Sequence, residues 1–336
     1  MTDLAVPGKT AAVAWLTGRR AALALALLAL ALLPLWMPGS YYVNIASQIL
    51  FYAVFALAID VLLGYGGLVS LGHAGVFGIT CYTVAVALGA GYGHVAAILL
   101  GIGVTLAGMA VYALVALRAT GIGFLMITLA LGQILWGLAY RWISVTNGDN
   151  GLSLASRPAP FGLSLASANA FYYATLVVFL LSLALAAVFV HSPFGAALRG
   201  TRDQPARMNA LGFNVFLVRF LACLFSGLLT ALAGILFVYY NQFISPQALA
   251  LTASAEVVLM VISGGAGTLL GPIVGAALVV IMKNVASAYI VRWNFLLGAI
   301  FVAIVVFVPE GLVPGSVRLW RWARRPRGAN AKKASP

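Results

Sequence analysis

The chain has 336 residues, 63% of them hydrophobic and 7% charged, with a mean hydropathy of +1.08. Soluble domains carry about 25% charged residues, so this balance excludes a water-soluble fold. The net charge of +13 sits at loops and segment ends, and no basic soluble domain exists to carry nucleic-acid binding, so that partner class is excluded too. What remains is a series of apolar runs of about 20 residues, the length that a hydrocarbon core of about 30 Å demands. Backbone polar groups cannot stay unpaired in lipid, so such runs are helices or a closed barrel. The alternation of a barrel strand is absent. The expected fold is all-α, a polytopic transmembrane helical bundle.

In chain order the apolar windows lie near 20–37, 43–63, 68–89, 95–117, 121–141, 171–190, 216–239, 250–265, 270–289 and 293–309. Arg19-Arg20 and the Ala/Leu run 21–33 imitate the front of a signal peptide. The run continues through "PLWMPGSYY" without a small-x-small cleavage site, so it reads as an uncleaved first helix. Lys9, Arg19 and Arg20 at the front and seven Lys/Arg in the tail, from Arg318 to Lys333, put both termini in the cytoplasm. That requires an even number of crossings, and about ten segments satisfy it. A cytoplasmic segment 1–19, a membrane domain 20–315 and a basic tail 316–336 follow. The loop 191–215 comes out cytoplasmic, and the Ser/Asn/Gly-rich loop 142–170 external. Cys81 and Cys223 fall far apart in apolar segments and read as small core hydrophobes.

Two glycine-rich stretches interrupt the apolar pattern: "GYGGLVSLGHAGVFG" at 64–78 and "SGGAGTLLGPIVG" at 263–275. One lies in each half of the chain. Paired interruptions point to a transporter whose pathway runs between broken helices. Close helix packing over small residues is the alternative. Enzymatic motifs are missing. "PGKT" at 7–10 lacks the glycine a phosphate loop needs where Asp3 stands, and His73, His94 and His191 sit far apart, so neither a catalytic nor a metal constellation is expected. Asp60, Glu256 and Lys283 are the ionisable residues inside spans, and such groups are functional candidates by default. Asp60 is expected near enough to the inner boundary to reach water, and Glu256 either pairs or borders a cavity. His73 reads as a hydrogen-bonded packing residue or as a switch.

The stretch "RGTRDQPARMNALGFN" at 199–214 is the polar exception in this oily chain. Short helical pieces broken by Pro205 and ended by Gly212 suit a plug that docks in another protein; a solvated positive-inside loop is the alternative.

Leu63 to Gly78, "SPFGAALRGTRDQPARMNALGFNV" (192–215) and "SGGAGTLLGPIVGAAL" (263–278) together resemble the inner-membrane permease subunits of branched-chain amino-acid ABC transporters, and more narrowly their M-type subunit. The resemblance runs from about residue 40 to 315. It implies a multi-pass protein of the bacterial inner membrane that forms the pathway for branched-chain or related small amino acids. The partners it implies are a second related permease, two ATPase subunits that use the ATP, and a periplasmic or lipid-anchored substrate-binding protein. This chain itself would bind no cofactor. The family's ATPase-coupling loop falls on Arg199, Arg202, Asp203, Pro205, Ala206, Leu211 and Gly212. Gly66, Gly67, Ser70, Leu71, His73 and Phe77, with Gly264, Gly265 and Gly267 opposite, are the expected pathway residues. Asn147, Asp149 and Asn150 on the external loop are placed to meet the binding protein. Family members commonly carry alanine where Gly200 stands, so Gly200 is expected to loosen the coupling helix by up to about 1 kcal/mol. An ion-coupled secondary transporter depending on Asp60 or Glu256 is the rival expectation.

Overall fold

The computed structural model describes residues 30, 32–34, 36, 39–154, 165–289, 293–307 and 310–323. Most of the expected segment at 20–37 lies outside these residues, as do all of segment 1–19 and the tail beyond Ala323. The helices are α1 (Ser40–Asp60), α2 (His73–Gly89), α3 (His94–Ala116), α4 (Ile122–Arg141), α5 (Ala168–His191), α6 (Pro193–Asp203), α7 (Pro205–Ala210), α8 (Val215–Asn241), α9 (Leu251–Gly264), α10 (Gly271–Tyr289), α11 (Trp293–Phe307) and α12 (Leu312–Ala323). They form an all-α polytopic bundle. Among the described residues five helical stretches are long and apolar enough to cross a membrane: α1 with its continuation to Tyr65, α3, α4, α5 and α8. Helices α2, α9 and α10 are apolar but shorter.

Local chemistry sets the ends of these elements. The Ser167 hydroxyl accepts from the Ala170 amide at 3.2 Å to start α5, and Ser192 does the same for Gly195, with Pro193 in the first turn of α6. Asn214 caps α8 by accepting from the Leu217 amide at 3.0 Å. That helix ends at Gln242, which takes the left-handed conformation. One expected segment changes. The window 68–89 becomes a helix only from His73, because Leu68–Gly72 runs as irregular backbone after the first glycine cluster.

Helices α1 and α8 form the inner layer. Their apolar windows are 78% and 67% buried, against 22–33% for α3, α4 and α5 around them. Phe77 of α2 stacks on Phe55 of α1 at 4.6 Å and meets Phe237 of α8 edge-on at 5.1 Å, filling the core between three helices. Glycines set close approaches: a Cβ at Gly227 would stand 2.7 Å from Met109 of α3, and one at Gly78 would overlap Leu249. A two-stranded antiparallel ladder, β1 (Leu152–Ser153) with β2 (Phe243–Ile244), ties the loop after α4 to the end of α8.

Candidate coupling and gating site

The first glycine stretch begins as a wide helical turn. Beyond Asp60 the helix loosens into an i→i+5 turn over Val61–Tyr65, with the Gly66 amide donating to the Val61 carbonyl at 3.1 Å. Gly67 then takes φ +67°, and the chain runs irregularly to Gly72. The far side of this break is firmly held. His73 is fully buried, and its ring nitrogens lie 2.7 Å from the Ser70 hydroxyl and 3.0 Å from the Ser226 hydroxyl. Ser226 donates in turn to the Ala58 carbonyl of α1 at 2.6 Å. Ser70 also meets the Tyr112 hydroxyl at 2.9 Å, and the Leu71 amide donates to Thr128 at 3.3 Å. One imidazole therefore links the break to α1, α3 and α8.

The second glycine stretch comes to meet the near side of the first. Between α9 and α10, Gly265 and Gly267 take φ +116° and +79°. The Gly267 amide donates to Asp60 Oδ1 at 2.7 Å. A Cβ at Gly64 would overlap both the Asp60 carboxylate and the Gly267 backbone, so the two breaks touch through glycine alone. Asp60 is 1% exposed. The expectation that it reaches water is therefore wrong: it closes a contact between the two halves, and Oδ2 has no hydrogen-bond partner among the described residues.

The polar stretch at 199–214 folds as the pair α6 and α7, broken at Pro205 and stopped at Gly212 (φ +85°). Leu198 and Thr201 are buried on the inner face of α6, and Arg219 of α8 donates to the Thr201 carbonyl at 2.7 Å. Asp203, Pro205, Ala206, Leu211 and Gly212 are exposed, as is Arg199. Arg202 is exposed as well, but its guanidinium reaches back to the bundle and donates to the Gly64 carbonyl. A Cβ on Gly67 would stand 2.7 Å from the Arg202 stem, so that glycine makes room for it. Helix α6 runs intact to Asp203, and the missing Cβ of Gly200 lets the Met208 sulfur of α7 pack where it would stand, 2.6 Å away.

The other expected residues separate into groups. Gly66, Ser70, His73, Phe77, Gly264 and Gly265 are buried within the chain, Leu71 and Gly267 are half-buried, and Gly67 is exposed. At the opposite end of the bundle Glu256 of α9 pairs with Lys283 of α10 at 3.2 Å. Beside it Asn284 donates to the Gln48 side chain at 3.1 Å, and Gln48 donates to the Tyr240 hydroxyl at 3.0 Å. Asn147, Asp149 and Asn150 are exposed on the turn beyond α4, with Asn147 at φ +59°. An apolar cavity of about 380 Å³ opens near this end, lined in part by Tyr82, Val86, Leu100, Leu138, Trp142 and Leu249. Among the described residues no three His, Cys, Asp or Glu side chains are grouped to hold a metal ion, and Cys81 and Cys223 are buried free thiols.

The loop 192–214 thus carries an exposed side and an arginine bonded to the first glycine break. Residues 41–305 match the family model described as the branched-chain amino acid transport system / permease component. The chain belongs to this family. The permease is 28% identical over 314 residues to the high-affinity branched-chain amino acid transport system permease protein LivM of Escherichia coli, covering 86% of this chain and 74% of that one. It is 30% identical over 250 residues to the autoinducer 2 import system permease protein LsrC of Yersinia pseudotuberculosis, covering 69% and 67%. Its fold is similar to that of a solved metal-chelate type ABC transporter in an inward-facing conformation, at TM-score 0.50 and 17% identity, covering 85% of the permease and 97% of that chain. The permease is thus a multi-pass integral membrane protein and a transport component.

Sequence reading missed several residues that build this site. Ser226, Tyr112, Thr128 and Ser254 hold the first break, the last by accepting from the Ala74 amide at 3.0 Å. Each is a hydroxyl in a mainly apolar helix, and nothing in its local sequence says which partner it faces.

Proposed function

We propose that this chain is the M-type permease subunit of an ABC importer in the bacterial inner membrane and forms part of the path for branched-chain or related small amino acids. ATP is used by two partner ATPase subunits, a second related permease completes the path, and a periplasmic or lipid-anchored binding protein delivers the solute. The chain itself holds no cofactor in this reading. The observation that carries it is the exposed α6–α7 plug, whose Arg202 grips the Gly64 carbonyl beside the contact of the two glycine breaks. A push on that plug acts directly on both breaks. Gly66, Gly67, Leu71, Gly264, Gly265 and Gly267 border the inner end of the path, and Ser70, His73 and Phe77 brace it from behind. Helix breaks supply backbone polar groups for the charged ends of a zwitterion, while small and apolar groups pass its side chain. Asn147, Asp149 and Asn150 face the binding protein.

The test is reconstitution of the four-component complex in liposomes with labelled leucine, isoleucine or valine outside. Uptake that requires both ATP and the binding protein is the expected result. Uptake by this chain alone, driven by an ion gradient, would overturn the reading in favour of a secondary carrier.

A further inference from the structure

Asp60 is a buried carboxylate used by half. Oδ1 accepts from the Gly267 amide at 2.7 Å, while Oδ2, equally buried, has no hydrogen-bond partner among the described residues. A buried carboxyl oxygen without a hydrogen-bond partner is costly, and each such group in a native structure calls for an explanation. A cation lies beside this carboxylate: the Arg202 guanidinium donates to the carbonyl of the neighbouring Gly64. Gly64 lies one helical turn beyond Asp60, and a Cβ there would overlap the carboxylate, so the two acceptors stand side by side. A guanidinium has five donors in a planar fork and can change from one acceptor to the other without leaving the site.

We propose that Asp60 is the positioning residue through which the coupling loop acts on the second glycine break, its free Oδ2 being the acceptor that Arg202 takes when the α6–α7 plug is displaced. In the arrangement described here the arginine holds Gly64, and the carboxylate is free to hold Gly267. When the plug moves, the guanidinium engages Oδ2 and a charge-assisted bond competes for the carboxylate that anchors Gly267. The loop between α9 and α10 then loses its anchor on α1, and the contact between the halves opens. Three glycines make the exchange sterically feasible: Gly64 admits the carboxylate, Gly67 admits the arginine stem, and Gly267 brings its amide to Oδ1.

This inference rests on the importer reading, so the wild-type complex is measured first. If that complex shows no ATP- and binding-protein-dependent uptake, the importer reading fails. With a coupled wild type, the decisive quantity is solute imported per ATP hydrolysed. Asp60→Asn keeps an oxygen for the Gly267 amide and removes the charge that draws the guanidinium. The expected result is at least a tenfold fall in solute per ATP in a complex that still assembles. An unchanged ratio would overturn the proposal, because a merely structural carboxylate tolerates the isosteric amide. Should Asp60→Asn fail to assemble, Arg202→Gln serves, since it leaves Asp60 and its Gly267 bond intact. It is expected to uncouple to the same degree, and an unchanged ratio there overturns the proposal equally.

Discussion

At the scale of single residues, the inner end of the permease depends on atoms that are not there. Gly64 shows this most sharply. It lies inside a helical turn, where glycine is normally a cost, yet a Cβ would strike the Asp60 carboxylate and the backbone of Gly267. Neither neighbour is the soft end of a long side chain, so the strain cannot be absorbed cheaply. Gly64→Ala is expected to destabilise by about 1–3 kcal/mol, the range for overpacking a tight site. Thermal unfolding of the purified permease in detergent checks this, with Gly103→Ala as the comparison. A Cβ at Gly103, in the middle of α3, meets nothing within 4 Å. That variant should be neutral or gain up to about 1 kcal/mol from helix propensity. Equal behaviour of the two variants would show that the contact of the breaks does not carry the strain assigned to it.

At the scale of elements, the α6–α7 pair divides its labour between two faces. Leu198, Thr201 and the Arg202 head group bind it to the permease, whereas α7 buries none of its side chains, and Leu211 and Phe213 beyond it are 66% and 46% exposed. An exposed leucine and phenylalanine in a loop that also exposes Asp203 and Arg207 combine apolar and charged surface, as protein contacts do. Leu211→Asp is expected to cut co-purification of the ATPase subunits at least tenfold without lowering the melting temperature of the permease alone. Retained association would move the contact to another face. Much of this element was legible in the sequence. Pro193, Pro205 and Gly212 punctuate the helices, and the polar composition separates them from the spans. The reach of Arg202 back to the bundle was not legible, because it depends on Gly67 in a segment more than a hundred residues earlier. The same holds for Gly200, whose effect on local propensity is readable while its role as a seat for Met208 is tertiary. For the broken helices the order was reversed. Glycine density marked both breaks, but that they touch, through Asp60 and Gly267, is a long-range fact. His73 was legible as a choice between packing and switching, but not its partners Ser70 and Ser226, the second of them 153 residues away.

At the scale of the whole molecule, the three outer long spans leave most of their apolar surface uncovered by the chain itself. Helix α4 has the least buried window of the five long spans, at 22%, although it lies in the middle of the chain. It seats Phe124, Thr128, Gly132 and Ala139 inward and leaves Ile122, Met126, Ala130, Ile134 and Leu138 on the opposite face. Those five residues recur every four positions, an i±4 ridge running obliquely across the helix surface, of the kind that packs against a neighbouring helix. Gly72 of the first break lies against the inward face, where its Cβ would overlap the Thr128 carbonyl, so a helix on that ridge would stand one helix away from the break. The expected occupant is the second permease. A photo-crosslinking side chain at Ile134 should capture that subunit in the assembled complex, whereas one at Val177, exposed on α5, should not. Capture at Val177 and none at Ile134 would put the subunit interface on the other side of the bundle. The path would then lie away from the glycine breaks, and the coupling route from α6 through Arg202 and Asp60 would end at a contact that no solute passes.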